Sequence, residues 1–368
     1  MLFNNSGHGF TPSEELLSGK FGPSGPYLPS NFQHLPEDIA IIFCEASNFS
    51  LSQNSWKSYQ SALNSLEKCR RETGLALSFP FTEQNSIIFA SWLVKKGLSA
   101  ATIEKYLSGL RAMHLAMGFS DFRLRSDLVK SLIQGRKNQG LVEESVGEKG
   151  NRIPVTPNIL LLIKKHLTED HVDPKLAILI WCVCTLLYFG GFRIGEILTD
   201  KKCSFDPFCT LLGKDITLSP LKVNDTIVET LQVTLRTDKT NKSKNAVIID
   251  IYESKGHLCP VKAFRKFNKK FKIEPNLPAF RGENGQSFTP KCFNSFLKKF
   301  EKKYLCLEKD QSFSSHSFRA GVTTILASMG YSDEDIMAFG RWSSSAYQAY
   351  IKAPRTRRIE MAKKIAGL

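Results

Sequence analysis

The longest apolar stretch of the chain, 176–192, reads LAILIWCVCTLLYFGGF and is followed by Arg193 and, one turn later, Glu196. It falls short of the roughly 20 residues that cross a bilayer, and it has no polar face to turn toward water. We read Pro174 to Tyr188 as a buried core helix, around which other elements must be laid; no membrane association is expected. At 368 residues the chain exceeds what one ordinary core supports, so two domains are expected. Its 42% apolar and 23% charged residues fit a soluble globular protein.

Upstream of that helix the pattern is helical throughout. Residues 1–34, rich in Gly, Ser, Pro and Asn, read as a flexible arm without the features of a secretory signal. Amphipathic helices are expected at Glu37–Ala46, Asn54–Glu72, Glu83–Lys95, Ala100–Met117 and Asp127–Arg136. Pro36, Thr82 and Ser99 supply start signals. Trp56, Tyr59, Leu63 and Leu66 share one helical face, as do Ile103, Tyr106, Leu110 and Met113. Residues 35–136 thus read as a helical bundle, and 137–156, with scattered glycines and Pro154, as a linker.

From 157 to 352 helices surround two strand-like runs, Thr226–Leu235 and Ala246–Ile251, joined by the basic tip Arg236–Asn245. The expected fold class is mainly α with a small antiparallel β-sheet: a helical bundle followed by an α+β domain. In 353–368, Pro354 breaks the preceding helix, and Ile359, Ala362, Ile365 and Leu368 stripe a short tail helix.

Fifty Lys and Arg against 35 Asp and Glu leave a charge of +15, a field that concentrates polyanions, DNA above all. Lys57, Arg70, Arg71, Lys105 and Arg111 on the bundle, Lys242 and Lys244 on the hairpin tip, and Arg341 are the candidate DNA contacts; each alone is equally a solvated surface residue. The nine cysteines are odd in number and hold no CxxC pair, which fits a reduced intracellular protein. Cys203, Cys209, His257 and Cys259 match no zinc spacing, and neither metal nor cofactor is expected.

Several polar residues of the second domain carry weak signals singly. Arg193 and Glu196 in GGFRIGE read as an i, i+3 ion pair. His316 and Arg319 in HSFR read as a polar helix start, and Lys239 in RTDKTNKSK as a turn residue. Together with Trp342, Tyr347 and Tyr350 of GRWSSSAYQAY they form a set suited to moving a DNA phosphoryl group onto a hydroxyl. Two planar guanidiniums can clamp the non-bridging oxygens of one phosphodiester, where transition-state charge develops. A tyrosine with a pKa near 10 needs a base such as His316 to take its proton. A lysine on a hairpin can protonate the departing 5′-oxygen.

These motifs, in this order, resemble those of the tyrosine recombinase superfamily, which includes the Cre and lambda integrase group. The likeness covers about Leu160 to Lys352 by motif, and the bundle resembles that family's core-binding domain by pattern only. It implies Arg193 and Arg319 as the phosphate clamp, His316 as the histidine of the HxxR motif and Glu196 as support for the first arginine. Lys239 is implied as the hairpin lysine, Trp342 as the residue standing where many members have a second histidine, and Tyr350 as the nucleophile. Tyr350 follows Trp342 by eight residues, one fewer than in bacterial and phage members, and Tyr347 by five. The shorter spacing resembles recombinases of the eukaryotic Crypton, DIRS and Ngaro elements. The resemblance implies double-stranded DNA as partner, a homotetramer on two duplexes, a tail docking in trans, and a nuclear location. A type IB topoisomerase-like enzyme and a catalytically inactive, domesticated DNA-binding protein are the alternatives.

Overall fold

The computed structural model describes residues 36, 38–39, 42, 53–116, 119, 126–144, 151–170, 172–223, 225–236, 246–254, 256–308, 311–342 and 348. The chain divides into two compact units, 1–147 and 148–368.

Among the described residues of the first unit, helices α1 (Gln53–Thr73), α2 (Glu83–Lys95), α3 (Ala100–Ala116) and α4 (Asp127–Glu144) enclose one core. Leu63, Leu66, Phe79, Phe89, Leu93, Ile103, Leu107 and Leu110 lie inside it, which accounts for the spacing of apolar residues along α1 to α3. Thr82 opens α2 by accepting the Asn85 N–H. Gly109 lets α3 come close to α1, since a Cβ there would meet the Tyr59 ring at 2.8 Å and its Cα at 3.3 Å. One boundary differs from expectation. The helix begun at Asp127 runs on to Glu144, into the stretch read as linker. Beyond Arg136 come Lys137, Asn138, Gln139 and Gly140 before the next apolar residues, Leu141 and Val142, so no apolar period marks the continuation.

The second unit is built around the apolar segment. It comprises β1 (Asn151–Arg152), α5 (Pro157–Glu169), α6 (Pro174–Phe189) and a short α7 (Ile194–Ile197). Next come β2 (Ile216–Val223), β3 (Thr226–Leu235), β4 (Val247–Tyr252), α8 (Pro260–Phe271) and α9 (Pro290–Tyr304). The last described elements are β5 (Gln311–Ser312), α10 (His316–Ser328) and α11 (Asp333–Gly340).

Helix α6 is buried from Leu179 to Tyr188 apart from Trp181 and packs against α5, α8 and α10. Burying each of its leucines or isoleucines contributes roughly 1.5–3 kcal/mol. No described helix is long and apolar enough to cross a membrane.

The sheet has the order β2-β3-β4, antiparallel throughout, with Ile216 opposite Val233 and Leu235 opposite Val247. Leu231, Val233, Leu235 and Ile251 bring it into the same core. The sequence pointed to two of these strands and missed β2. Pro220 interrupts its pattern, and it is tolerated because β2 lies at the sheet edge.

Candidate active site

The first arginine is placed by the end of α6. Gly190 caps that helix, and Gly191, at φ 55°, occupies left-handed backbone that favours glycine. This turn delivers Arg193 to the start of α7, where its backbone N–H donates to Glu196 Oε2 at 2.9 Å. The same carboxylate accepts the Arg193 guanidinium through Oε1 at 2.7 Å.

Glu196 also holds a second arginine. Arg341 ends α11 at φ 54°, a left-handed conformation that costs a non-glycine residue about 1–2 kcal/mol. From there its guanidinium turns inward, donating to Glu196 Oε2 at 2.9 Å and to the Gly190 carbonyl at 3.0 Å, with its flat face over Phe192. The Arg341 side chain is only 12% exposed. With these donors turned onto Glu196 and Gly190, Arg341 ties α11 to α7. One carboxylate between two guanidiniums leaves the group a net positive charge beside the site.

Arg319 lies one turn into α10 and is 3% exposed. It donates to the Gly191 carbonyl at 2.6 Å and to the Gly340 carbonyl, and the Trp342 ring stacks on it with 4.2 Å from Cζ to the ring centroid. Both motif arginines are thus held at the Gly190–Gly191 turn, one by the chain that leaves it and one by its carbonyl. Each is fixed by protein donor–acceptor pairs before any substrate arrives.

His316 is the first residue of α10 and keeps an exposed edge. Desolvation by the surrounding domain, and then the charges of Arg152, Arg319 and Arg193, push its pKa below the ordinary histidine value. Arg152 is absent from the set read off the sequence, where it fell in the apparent linker. No local pattern marks it; only the pairing of β1 with β5, just ahead of His316, brings it here.

The remaining candidates divide. Lys239, Lys242, Lys244, Tyr347 and Tyr350 lie outside the described residues, as do the arm 1–34 and the tail 353–368. Lys57 belongs to α1, with its side chain outside the described set. Arg70 and Arg71 both pair with Glu67, at 3.2 and 3.1 Å; Arg70 is half-buried and Arg71 open to solvent. Lys105 and Arg111 are exposed on α3.

Residues 46–116 match the family described as phage integrase, N-terminal SAM-like domain. Among solved structures, the XerH site-specific recombinase bound to a palindromic difH substrate is 15% identical, covering 96% of this chain and 97% of its own, with a TM-score of 0.58. The Tn1549 transposon integrase in complex with circular intermediate DNA is 19% identical over 85% of this chain and 94% of its own, TM-score 0.53. A lambda integrase dimer bound to a core site is 14% identical over 83% and 91%, TM-score 0.53. The comparison with curated proteins finds no match. The chain has the mostly helical tyrosine-recombinase fold with its small three-stranded sheet, and its residues 46–116 are similar to the SAM-like domain of phage integrases.

Proposed function

We propose that this protein is a tyrosine site-specific recombinase that cuts and rejoins duplex DNA. The observation that carries the reading is the placement of Arg193 and Arg319 at one glycine turn, with His316 one helical turn from Arg319. Two anchored guanidiniums suit the two non-bridging oxygens of a phosphodiester, whose charge grows as a fifth oxygen approaches. Their rigidity matters, because a preset donor needs no reorganisation when the charge appears.

In this reading the Tyr350 hydroxyl attacks the scissile phosphorus and its proton passes to His316. The P–O5′ bond breaks as the P–O(Tyr) bond forms, giving a 3′-phosphotyrosyl link, and Lys239 protonates the departing 5′-oxygen. A 5′-hydroxyl of a second duplex reverses the step, so the bond energy is conserved. Integration or excision of a mobile element in a nucleus is the setting we propose, from the spacing between Trp342 and Tyr350. The test is a duplex selected by the protein from a random-sequence pool and nicked to trap the covalent product. Peptide mapping should place the DNA on Tyr350, and recombinant products should join two duplexes. Absence of any covalent product would overturn the reading.

The depressed pKa of His316 predicts where activity is lost in acid. A base must be neutral to accept a proton, and a lowered pKa keeps the imidazole neutral to lower pH. Single-turnover cleavage at sub-saturating DNA, which reports the free enzyme, should therefore lose half its rate below the ordinary histidine pKa of about 6.5. An acid limb centred above that value would remove His316 from the base role.

We further propose that the active assembly is a tetramer on two duplexes, with the tail stripe Ile359, Ala362, Ile365 and Leu368 docked on a neighbouring subunit. A helix this short needs a groove to cover its stripe. Deleting 355–368 should weaken tetramer formation and strand exchange far more than binding of one half-site. Sedimentation and recombination assays on the truncated protein decide it; normal assembly and exchange would refute the docking.

A further inference from the structure

We propose that Arg236 is a positioning residue for proton delivery: paired with Asp215, it fixes the foot of the hairpin whose lysine, Lys239, protonates the departing 5′-oxygen. This assignment rests on the strand-transfer reading above and deepens it.

Strand β3 runs on past its neighbour. Its ladder with β2 ends at Val233 opposite Ile216, so Thr234 and Leu235 pair with β4 alone, itself an edge of the sheet. Arg236 is the next residue, and its guanidinium supplies on the β2 side what the ladder no longer does. Its Nη2 donates to Asp215 Oδ2 and, at 2.8 Å, to the Thr210 carbonyl. Lys239 follows three residues on in the sequence.

Both acceptors are pinned to the body of the domain. Asp215, with a side chain only 7% exposed, closes the turn Gly213–Asp215 by accepting the Leu212 N–H at 2.7 Å. Within that turn the Gly213 and Lys214 N–H groups donate to the carbonyls of Leu277 and Pro275, each at 3.0 Å. Beside Thr210, the Leu211 carbonyl accepts the Ala279 N–H at 3.0 Å. A nearly buried carboxylate leaves little water to screen or compete for the guanidinium, so the pair holds one geometry. The foot also lies next to the phosphate clamp: Glu196, Thr210 and Arg236 line one shallow hollow, and Glu196 is the carboxylate that holds Arg193. A shift of this strand end therefore moves the chain beyond it relative to Arg193. Protonation of a leaving oxygen needs the donor within hydrogen-bond reach, and a misplacement of about 1 Å costs on the order of 10²-fold.

The test uses the full-length protein and the selected, nicked duplex, made either with the natural scissile phosphodiester or with sulfur at its 5′-bridging position. In the sulfur duplex the P–S bond breaks to release a thiolate, which leaves without a proton. On the natural duplex Arg236→Ala should slow single-turnover cleavage by about 10- to 100-fold. On the sulfur duplex most of that loss should disappear, as it should for Lys239→Ala. Combining Arg236→Ala with Lys239→Ala should cleave the natural duplex no more slowly than Lys239→Ala alone, since a residue acting only through the lysine then has nothing left to position. Arg236→Gln keeps an N–H for the Thr210 carbonyl but no charge for Asp215. It should show the same sulfur rescue, and it replaces the alanine variant throughout if that variant fails to fold. Parent-like cleavage of the natural duplex by the Arg236 variants would overturn the proposal. So would a loss that persists unchanged on the sulfur duplex, which assigns Arg236 to the fold or to the phosphate, or losses that add in the double variant. If Lys239→Ala is itself not rescued by sulfur, proton delivery by Lys239 falls, and this inference with it. If the parent forms no covalent product on either duplex, it is the recombinase reading that falls first.

Discussion

Tyr350→Phe is expected to abolish the covalent protein–DNA product while leaving DNA binding nearly unchanged. Removing the nucleophile of a covalent enzyme lowers turnover on the order of 10⁶-fold, whereas a single phenolic oxygen is minor among the many phosphate contacts of a protein with a charge of +15. Tyr347→Phe serves as the comparison, since both tyrosines follow Trp342 within eight residues. The Tyr347 variant should keep forming the adduct. Denaturing gels of protein trapped on the nicked duplex give the answer directly. An adduct that survives in Tyr350→Phe and vanishes in Tyr347→Phe would reverse the assignment, with the two motif arginines and His316 keeping their roles.

The second large effect is a contrast between the two motif arginines. Arg319→Ala and Arg193→Ala should each slow cleavage by roughly 10²–10³-fold, as the loss of one preset oxyanion donor does. Their effects on stability should differ. Arg319 is buried and bonds the carbonyls of Gly191 and Gly340 beneath the Trp342 ring. Truncating it strips donors from two carbonyls and opens a space, at a cost of about 2–4 kcal/mol. Arg193 is more exposed, and when it is removed Glu196 still has Arg341 as an ion-pair partner at 2.9 Å. No buried charge is orphaned, so the loss should be about 1 kcal/mol or less. Denaturant titration of the two variants beside single-turnover cleavage separates the cases. Equal destabilisation by both would show that Glu196 does not hold its second arginine as the geometry implies.

Much of this arrangement is written in short stretches of sequence. The helices of the first unit and the buried α6 follow from apolar spacing and from start signals such as Thr82, which act over one or two turns and are legible without knowing the partner surface. Arg193 and Glu196 are three residues apart, as are His316 and Arg319, so their pairing on a helix needed no long-range information. Other features have no local trace. β2 carries Pro220, which reads as a break until an edge position makes it harmless. α4 continues past Arg136 through four residues without an apolar side chain, so no period marks the continuation.

Arg341 looked like a surface cation next to the catalytic motif. Its inward turn depends on Glu196, 145 residues earlier, and on a left-handed backbone at a helix end. Arg152 lay in a stretch that read as linker, and a two-residue strand leaves no periodicity to detect. Its position is set by parallel pairing with residues 160 positions away and by the missing side chain of Gly321, which lets a backbone carbonyl lie against α10. Residue types and near spacings therefore name the chemistry, because reactive groups on one helical turn are neighbours in any fold. Which charges neutralise each other and which remain to meet a phosphate depends on long-range packing, since a guanidinium's reach is decided by whichever acceptor the tertiary structure brings within about 3 Å.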